Sequence, residues 1–109
     1  MAEKISKQII EHIRDYVSVL RNEIPVSKVI LFGSYANGKQ RKGSDVDIAI
    51  ISEKFGVNPH EEGKYLLRKL WDVKFANIDP IPYSPKDFFS KEPSPLLWEI
   101  KKYGVEISC

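Results

Sequence analysis

Cysteine is nearly absent: the only one among 109 residues is Cys109, the last. No internal disulfide is available, which excludes the small disulfide-stapled secreted class and makes a reducing cytoplasm the expected setting. Long apolar runs are also missing. The longest, Val29 to Phe32 and Ile48 to Ile51, are far short of the roughly 20 residues a membrane-spanning helix needs. No basic start leads into an apolar signal core, so neither export nor a membrane partner is expected. Neither sign of charge dominates: 17 basic against 15 acidic residues leave +2, without the basic excess of a dedicated nucleic-acid binder, and direct nucleic-acid binding is not expected. The two histidines, His12 and His60, are far apart and belong to no ligand cluster. What is present, 42% hydrophobic and 29% charged residues, is ordinary for a globular protein and fits one domain over residues 1–109.

Periodicity divides the chain into alternating elements. Residues 3–22 carry Ile5, Ile9, Ile13, Tyr16, Val17 and Leu20 at three- to four-residue spacing, the pattern of an amphipathic helix that closes the core or pairs two copies. Pro25 ends it. Residues 26–32 read as a β-branched strand buried on both faces, and residues 45–51 as a second. The intervening segment 34–44 has room for one short helical turn. Asn58-Pro59 followed by Glu61 starts a helix to about Phe75, with Leu66, Leu67, Leu70, Trp71 and Val73 on its apolar side. Residues 77–83 read as a third strand marked by prolines. Ser84-Pro85 and Ser94-Pro95 open two further helical segments, the second stopped by Gly104 at a C′ position, and residues 105–108 suit a small edge strand. Trp71, Trp98 and Tyr65 read as core or interface packing, and Phe88-Phe89 as core packing, with a partner surface as the alternative. The expected fold class is α/β (α+β): a small mixed three-stranded sheet flanked by helices.

The chemistry concentrates in Leu31-Phe32-Gly33-Ser34-Tyr35-Ala36-Asn37-Gly38-Lys39 and Gly43-Ser44-Asp45-Val46-Asp47-Ile48-Ala49-Ile50-Ile51. Side chains alternate along a strand, so Asp45 and Asp47 point the same way, about 7 Å apart at Cα. Paired carboxylates suit a hard divalent cation, Mg²⁺ above all. The Gly33-Ser34 turn can bring backbone N–H groups to a phosphate. Two aspartates on one strand face repel and are disfavoured there unless a cation relieves them. Asp79 is more evenly balanced, because Asn-x-Asp-Pro also reads as a turn. For Gly33 and Asp45 to meet at one site, their strands must run antiparallel if adjacent; the third then runs parallel to the second through a helical crossover. Gly33-x4-Gly38-Lys39 imitates a P-loop, but Gln40 replaces the required Ser or Thr and no substantial helix follows.

The block GSYANGKQRKGSDVDIAI resembles the DNA polymerase beta-like nucleotidyltransferase superfamily, and within it the minimal nucleotidyltransferases. Ile78-Asp79-Pro80 with Ser84 to Phe88, and Leu97-Trp98-Glu99-Ile100 through Gly104, fit the same pattern. The resemblance implies that Asp45, Asp47 and Asp79 are catalytic and hold two Mg²⁺ ions, Asp79 on the acceptor-hydroxyl side. It implies that Gly33 and Ser34 bind the β- and γ-phosphates of a nucleoside triphosphate, with ATP the substrate and AMP the group transferred. Some members carry arginines in the Gly-Ser loop, where this chain has Tyr35 and Asn37; Lys39, Arg41 and Lys42 read as a solvated or triphosphate-steering loop. Small members of this group pair, as antitoxins, with helical HEPN-domain toxins, so the implied acceptor is a hydroxyl on such a partner. The alternatives are a non-catalytic antitoxin that neutralises its partner by binding, and a small-molecule-modifying enzyme that homodimerises to form its acceptor cleft.

Overall fold

The apolar runs become strands β1 (Lys28–Phe32), β2 (Val46–Ile51) and β3 (Ile78–Tyr83), with a two-residue β4 (Val105–Glu106). The computed structural model describes residues 7–37, 45–73 and 77–108. The sheet is mixed, the three expected core strands joined by the edge strand, in the order β3-β2-β1-β4. β1 and β2 are antiparallel, and β2 and β3 are parallel, the arrangement that one shared site requires. The suggested edge strand forms over Val105–Glu106, antiparallel to β1, and Ile107 N–H extends the contact to the Val29 carbonyl.

Among the described residues five α-helices cover the sheet: α1 (Lys7–Arg21), α2 (Ser34–Asn37), α3 (Pro59–Lys69), α4 (Pro85–Phe88) and α5 (Pro95–Tyr103). One sheet face carries Val29, Leu31, Val46, Ile48, Ile50 and Ile78, packed against Ile13, Tyr16, Val17 and Leu20 of α1 and Leu66 of α3. The other carries Ile30, Phe32, Ala49 and Ile51, packed against Phe88, Leu97 and Ile100. β1 and β2 are thus apolar on both faces because both are covered. The amphipathic first helix closes this core: its four inward residues are fully buried. Tyr16 Oη donates to the Leu66 carbonyl at 2.6 Å, which satisfies a buried hydroxyl and ties α1 to α3.

The three cap-proline pairs work as read. Asn58, Ser84 and Ser94 each accept a backbone N–H from three residues on, with proline at the first helical position. Other expectations are corrected. The central helix does not stay α-helical toward Phe75: it tightens into a 3₁₀ turn at Leu70–Asp72, a common way to satisfy the last carbonyls, and residues 74–76 lie outside those described. Leu67, Trp71, Trp98 and Phe89 are exposed rather than core. Tyr65 is half-buried and donates to Glu23 at 2.7 Å. Gly104 ends α5 in extended geometry, φ −70°, not in the left-handed form. It is needed because a Cβ there would collide with the Ile100 carbonyl and the Ile30 side chain. At the open edge of the sheet, the Asn77 and Tyr83 carbonyls point to β2. Pro80 and Pro82 therefore turn outward and leave no N–H for a further strand.

The turn into α3 is held by one carboxylate. Glu62 accepts from the N–H groups of Gly56, Val57 and Asn58 at 2.9, 3.1 and 2.9 Å. Burial pushes its pKa up, but the three backbone donors outweigh that and hold it below the usual value. A depressed folded pKa stabilises above the unfolded pKa and loses that effect as pH falls through the folded one. Glu62→Gln is expected to cost about 1 kcal/mol at neutral pH, discounted for exposure. The difference from wild type should fade below the ordinary carboxylate range, as read by urea melts at several pH values.

Candidate active site

All five residues singled out from the sequence converge on one end of the sheet. β1 ends at Phe32, the chain turns at Gly33, and Ser34 begins the short α2; the Gly33 carbonyl accepts from Ala36 N–H at 3.1 Å. β2 starts beside that turn, with Phe32 opposite Asp47. β3 starts on the other side of β2, with Asp47 in register with Asp79. Asp79 therefore stands in a strand, not in the turn that Asn-x-Asp-Pro also allows. Strand alternation puts Asp45, Asp47 and Asp79 on the face of Ala49, Ile51 and Ile81, under which α4 and α5 pack.

Asp47 is the centre of this arrangement. It is half-buried, while Asp45 and Asp79 are exposed. Burial, then the charge of Asp79, then that of Asp45, and a hydrogen bond with Asp79 all raise the Asp47 pKa above the ordinary carboxylate value. No described cation forms an ion pair with any of the three. Gly33 has φ +75° and is pressed against Asp47: a Cβ at this position would overlap Asp47 Oδ2. Gly33 therefore has a role that sequence reasoning missed. It makes room for the carboxylate, and no local signal could have shown it, because the contact exists only once β1 and β2 are in register.

The donor set suits a hard divalent cation: carboxylate oxygens held in mutual repulsion. Among the described residues no three His, Cys, Asp or Glu side chains form a group placed to hold a metal ion. Asp47 and Asp79 are instead direct neighbours in register on parallel strands. Lys39, Arg41, Lys42 and the P-loop-like Gly38-Lys39 lie outside the described residues.

A pKa raised on folding stabilises below the unfolded pKa, and that contribution is lost as pH rises through the folded pKa. In the presence of a chelator, Asp47→Asn should therefore melt a few degrees above wild type at neutral pH. The gap should close on acidification through the carboxylate range; calorimetry showing the variant less stable at neutral pH would contradict the repulsion described. Gly33→Ala combines a positive φ with the Asp47 collision and should destabilise by about 1–3 kcal/mol, measured by denaturant unfolding.

Residues 10–103 match the Nucleotidyltransferase domain family. A candidate protein adenylyltransferase of Methanocaldococcus jannaschii is 29% identical over 105 residues, covering 95% of this chain and 99% of its own. Among solved structures, a toxin–antitoxin complex with AMP-PNP superposes with TM-score 0.61 at 24% identity, over 91% of this chain and 72% of that one. The MNT antitoxin complex of Shewanella oneidensis, holding a tri-AMPylated HEPN toxin, gives TM-score 0.58 at 20% identity, over 94% and 72%. At these identities the structural likeness is one of fold. The family match covers nearly the whole chain and includes every residue of the aspartate cluster: this chain belongs to the nucleotidyltransferase domain family and is an enzyme of nucleotidyl transfer.

Proposed function

We propose that the chain transfers AMP from ATP to a hydroxyl of a helical HEPN-type partner protein, and so acts as its antitoxin. The observation that carries this reading is the register of Asp47 with Asp79 beside Gly33. The third carboxylate faces the pair instead of lying in a turn, which favours transfer over neutralisation by binding alone. The adenylyltransferase name of the Methanocaldococcus relative and the AMPylated toxin of the Shewanella complex support the group transferred and the kind of acceptor.

In this reading Asp45 and Asp47 hold two Mg²⁺ ions, with Asp79 completing the site on the acceptor side. When bound, the ions neutralise the charge that develops on the attacking and leaving oxygens. Asp79 orients the acceptor hydroxyl and takes its proton as the hydroxyl oxygen bonds to the α-phosphorus. The bond from the α-phosphorus to its bridging oxygen breaks, and pyrophosphate leaves with the electron pair. Gly33 and Ser34 hold the β- and γ-phosphates through backbone N–H groups and the Ser34 hydroxyl. The raised Asp47 pKa means that protons compete for this carboxylate at higher pH than for an ordinary aspartate. At limiting Mg²⁺ the rate should fall with acidification, and saturating Mg²⁺ should move that fall to lower pH.

The test is transfer from ATP labelled on the α-phosphate, with Mg²⁺, to a co-expressed HEPN partner. Wild type should label the partner, and γ-labelled ATP should not. Asp47→Asn should lower labelling at least about 10²-fold, the scale of losing one electrostatic contact to the transition state, while still binding the partner. Labelling by Asp47→Asn at the wild-type rate would sink the assignment. Neutralisation of the partner without any label would establish the binding antitoxin instead.

A further inference from the structure

The two edges of the sheet are finished differently. At the β3 edge, Pro80 and Pro82 leave no outward N–H. At the β4 edge, the Ile107 N–H donates to the Val29 carbonyl at 2.8 Å, while Leu31 stands opposite Val105 and Ile30 opposite Glu106. Bonded and non-bonded pairs alternate along an antiparallel ladder, so Val105 and Ile107 turn their main-chain groups to β1 and Glu106 turns its own outward. The outward groups on either side are already held: the Gly104 N–H by the Ile100 carbonyl at 2.8 Å, and the Ser108 carbonyl by Arg14 Nε at 2.9 Å. Between them, no described residue bonds the Glu106 N–H or carbonyl. Beside this edge, on the face of Ile30, lies a cavity of about 230 Å³. Its apolar lining is Ile30, Phe88 and Ile100, and its charged lining is Lys28, Lys101 and Glu106. That is room for one branched or aromatic side chain, since a smaller apolar cavity already admits benzene. Lys28 pairs with Glu106 at 3.4 Å. Lys101 Nζ lies over the Phe88 ring, 5.4 Å from its centroid, and has no ion-pair partner among the described residues. The cavity therefore carries a net positive charge.

We propose that the β4 edge receives an extended segment of a partner protein, an apolar residue flanked by acidic ones, by strand addition. The incoming residue opposite Glu106 exchanges both main-chain hydrogen bonds with it, which supplies affinity, and the cavity supplies specificity. Directly opposite residues share a face, so that residue's side chain falls on the side of Glu106 and Ile30 and fills the cavity. The next residue on the same face lies two positions along. With Lys101 unpaired, an acidic side chain is the complement there. A second copy of this chain does not fit. Pairing of two β4 edges about a two-fold axis would set Glu106 directly against its counterpart, and like charges so placed repel. A shifted register would need the outward groups of Gly104 or Ser108, which are engaged within the chain.

The probe is the acetylated and amidated peptide Glu-Thr-Leu-Thr-Glu, used with the full chain. Titrating ¹⁵N-labelled protein with it to about 2 mM, the range of a short weak ligand, should move the Glu106 and Ile107 amide signals most. A fluorescent form of the peptide gives affinities by anisotropy. Methylating the nitrogen of its central leucine removes the N–H that the Glu106 carbonyl accepts, and should weaken binding at least about tenfold. Lysines in place of both glutamates should also weaken it. Glu106→Pro gives β4 the closure that Pro80 and Pro82 give β3 and should weaken binding at least about tenfold, whereas Glu106→Gln keeps the N–H and should bind within about twofold of wild type. Circular dichroism checks that Glu106→Pro is folded, and the methylated peptide probes the same bonding on unaltered protein. No shift at the highest concentration, shifts centred elsewhere, or equal binding of the methylated peptide overturns the proposal, as does a folded Glu106→Pro that binds like wild type. A wild type that sediments as a dimer, with Glu106→Pro monomeric, would assign the edge to a second copy, which likewise overturns it.

Discussion

The site rests on a like-charge contact that the sheet enforces. Asp47 and Asp79 are direct neighbours on parallel strands, and Asp45 adds a third negative charge from the same face. Nothing in local propensity would hold them there, since aspartate is disfavoured in strands and like charges opposite one another repel. The rest of β2 supplies the compensation: Ile48, Ala49, Ile50 and Ile51 are essentially fully buried. A strand so apolar cannot slip its register to relieve one end without exposing the other. The repulsion is thus stored at the mouth of the sheet, where a cation can relieve it.

The helices preserve this arrangement from both sides. α3 provides the crossover that makes β2 and β3 parallel, and the Tyr16 hydroxyl on the Leu66 carbonyl fixes it to α1. Glu62, through three backbone donors, shapes the turn that sends the chain from β2 into that crossover. On the aspartate face, Gly104 lets α5 come close enough to β1 for Ile100 and Leu97 to cover Ile30 and Phe32. Stability and site geometry therefore share their determinants at the glycines: Gly33 makes room for a carboxylate, and Gly104 makes room for a helix.

Much of this was legible in the residues. The cap-proline pairs located three helix starts because their mechanism is local: a side-chain oxygen meets an N–H three residues on. The aspartate pair was legible because alternation puts residues two apart on one face. The misreadings share another cause. Leu66, Leu67, Leu70 and Trp71 span too wide an arc for one helix face to bury, and periodicity alone does not say which arc meets the sheet. Gly104 was read as a helix stop, and the close approach of the helix end to β1 is what demands it. Asp79 was balanced between turn and strand until its partner strand fixed it.

The sequence by itself determined the elements, their caps, the antiparallel and parallel pairings that one shared site would need, and the carboxylate chemistry, since these follow from short-range geometry and residue type. Only the tertiary structure decided that Asp79 faces Asp47, that Gly33 yields space to that carboxylate, and that Leu67 and Trp71 face outward. Each of these depends on contacts between segments remote in the chain, and such contacts are set by how the layers pack rather than by any residue's local preference.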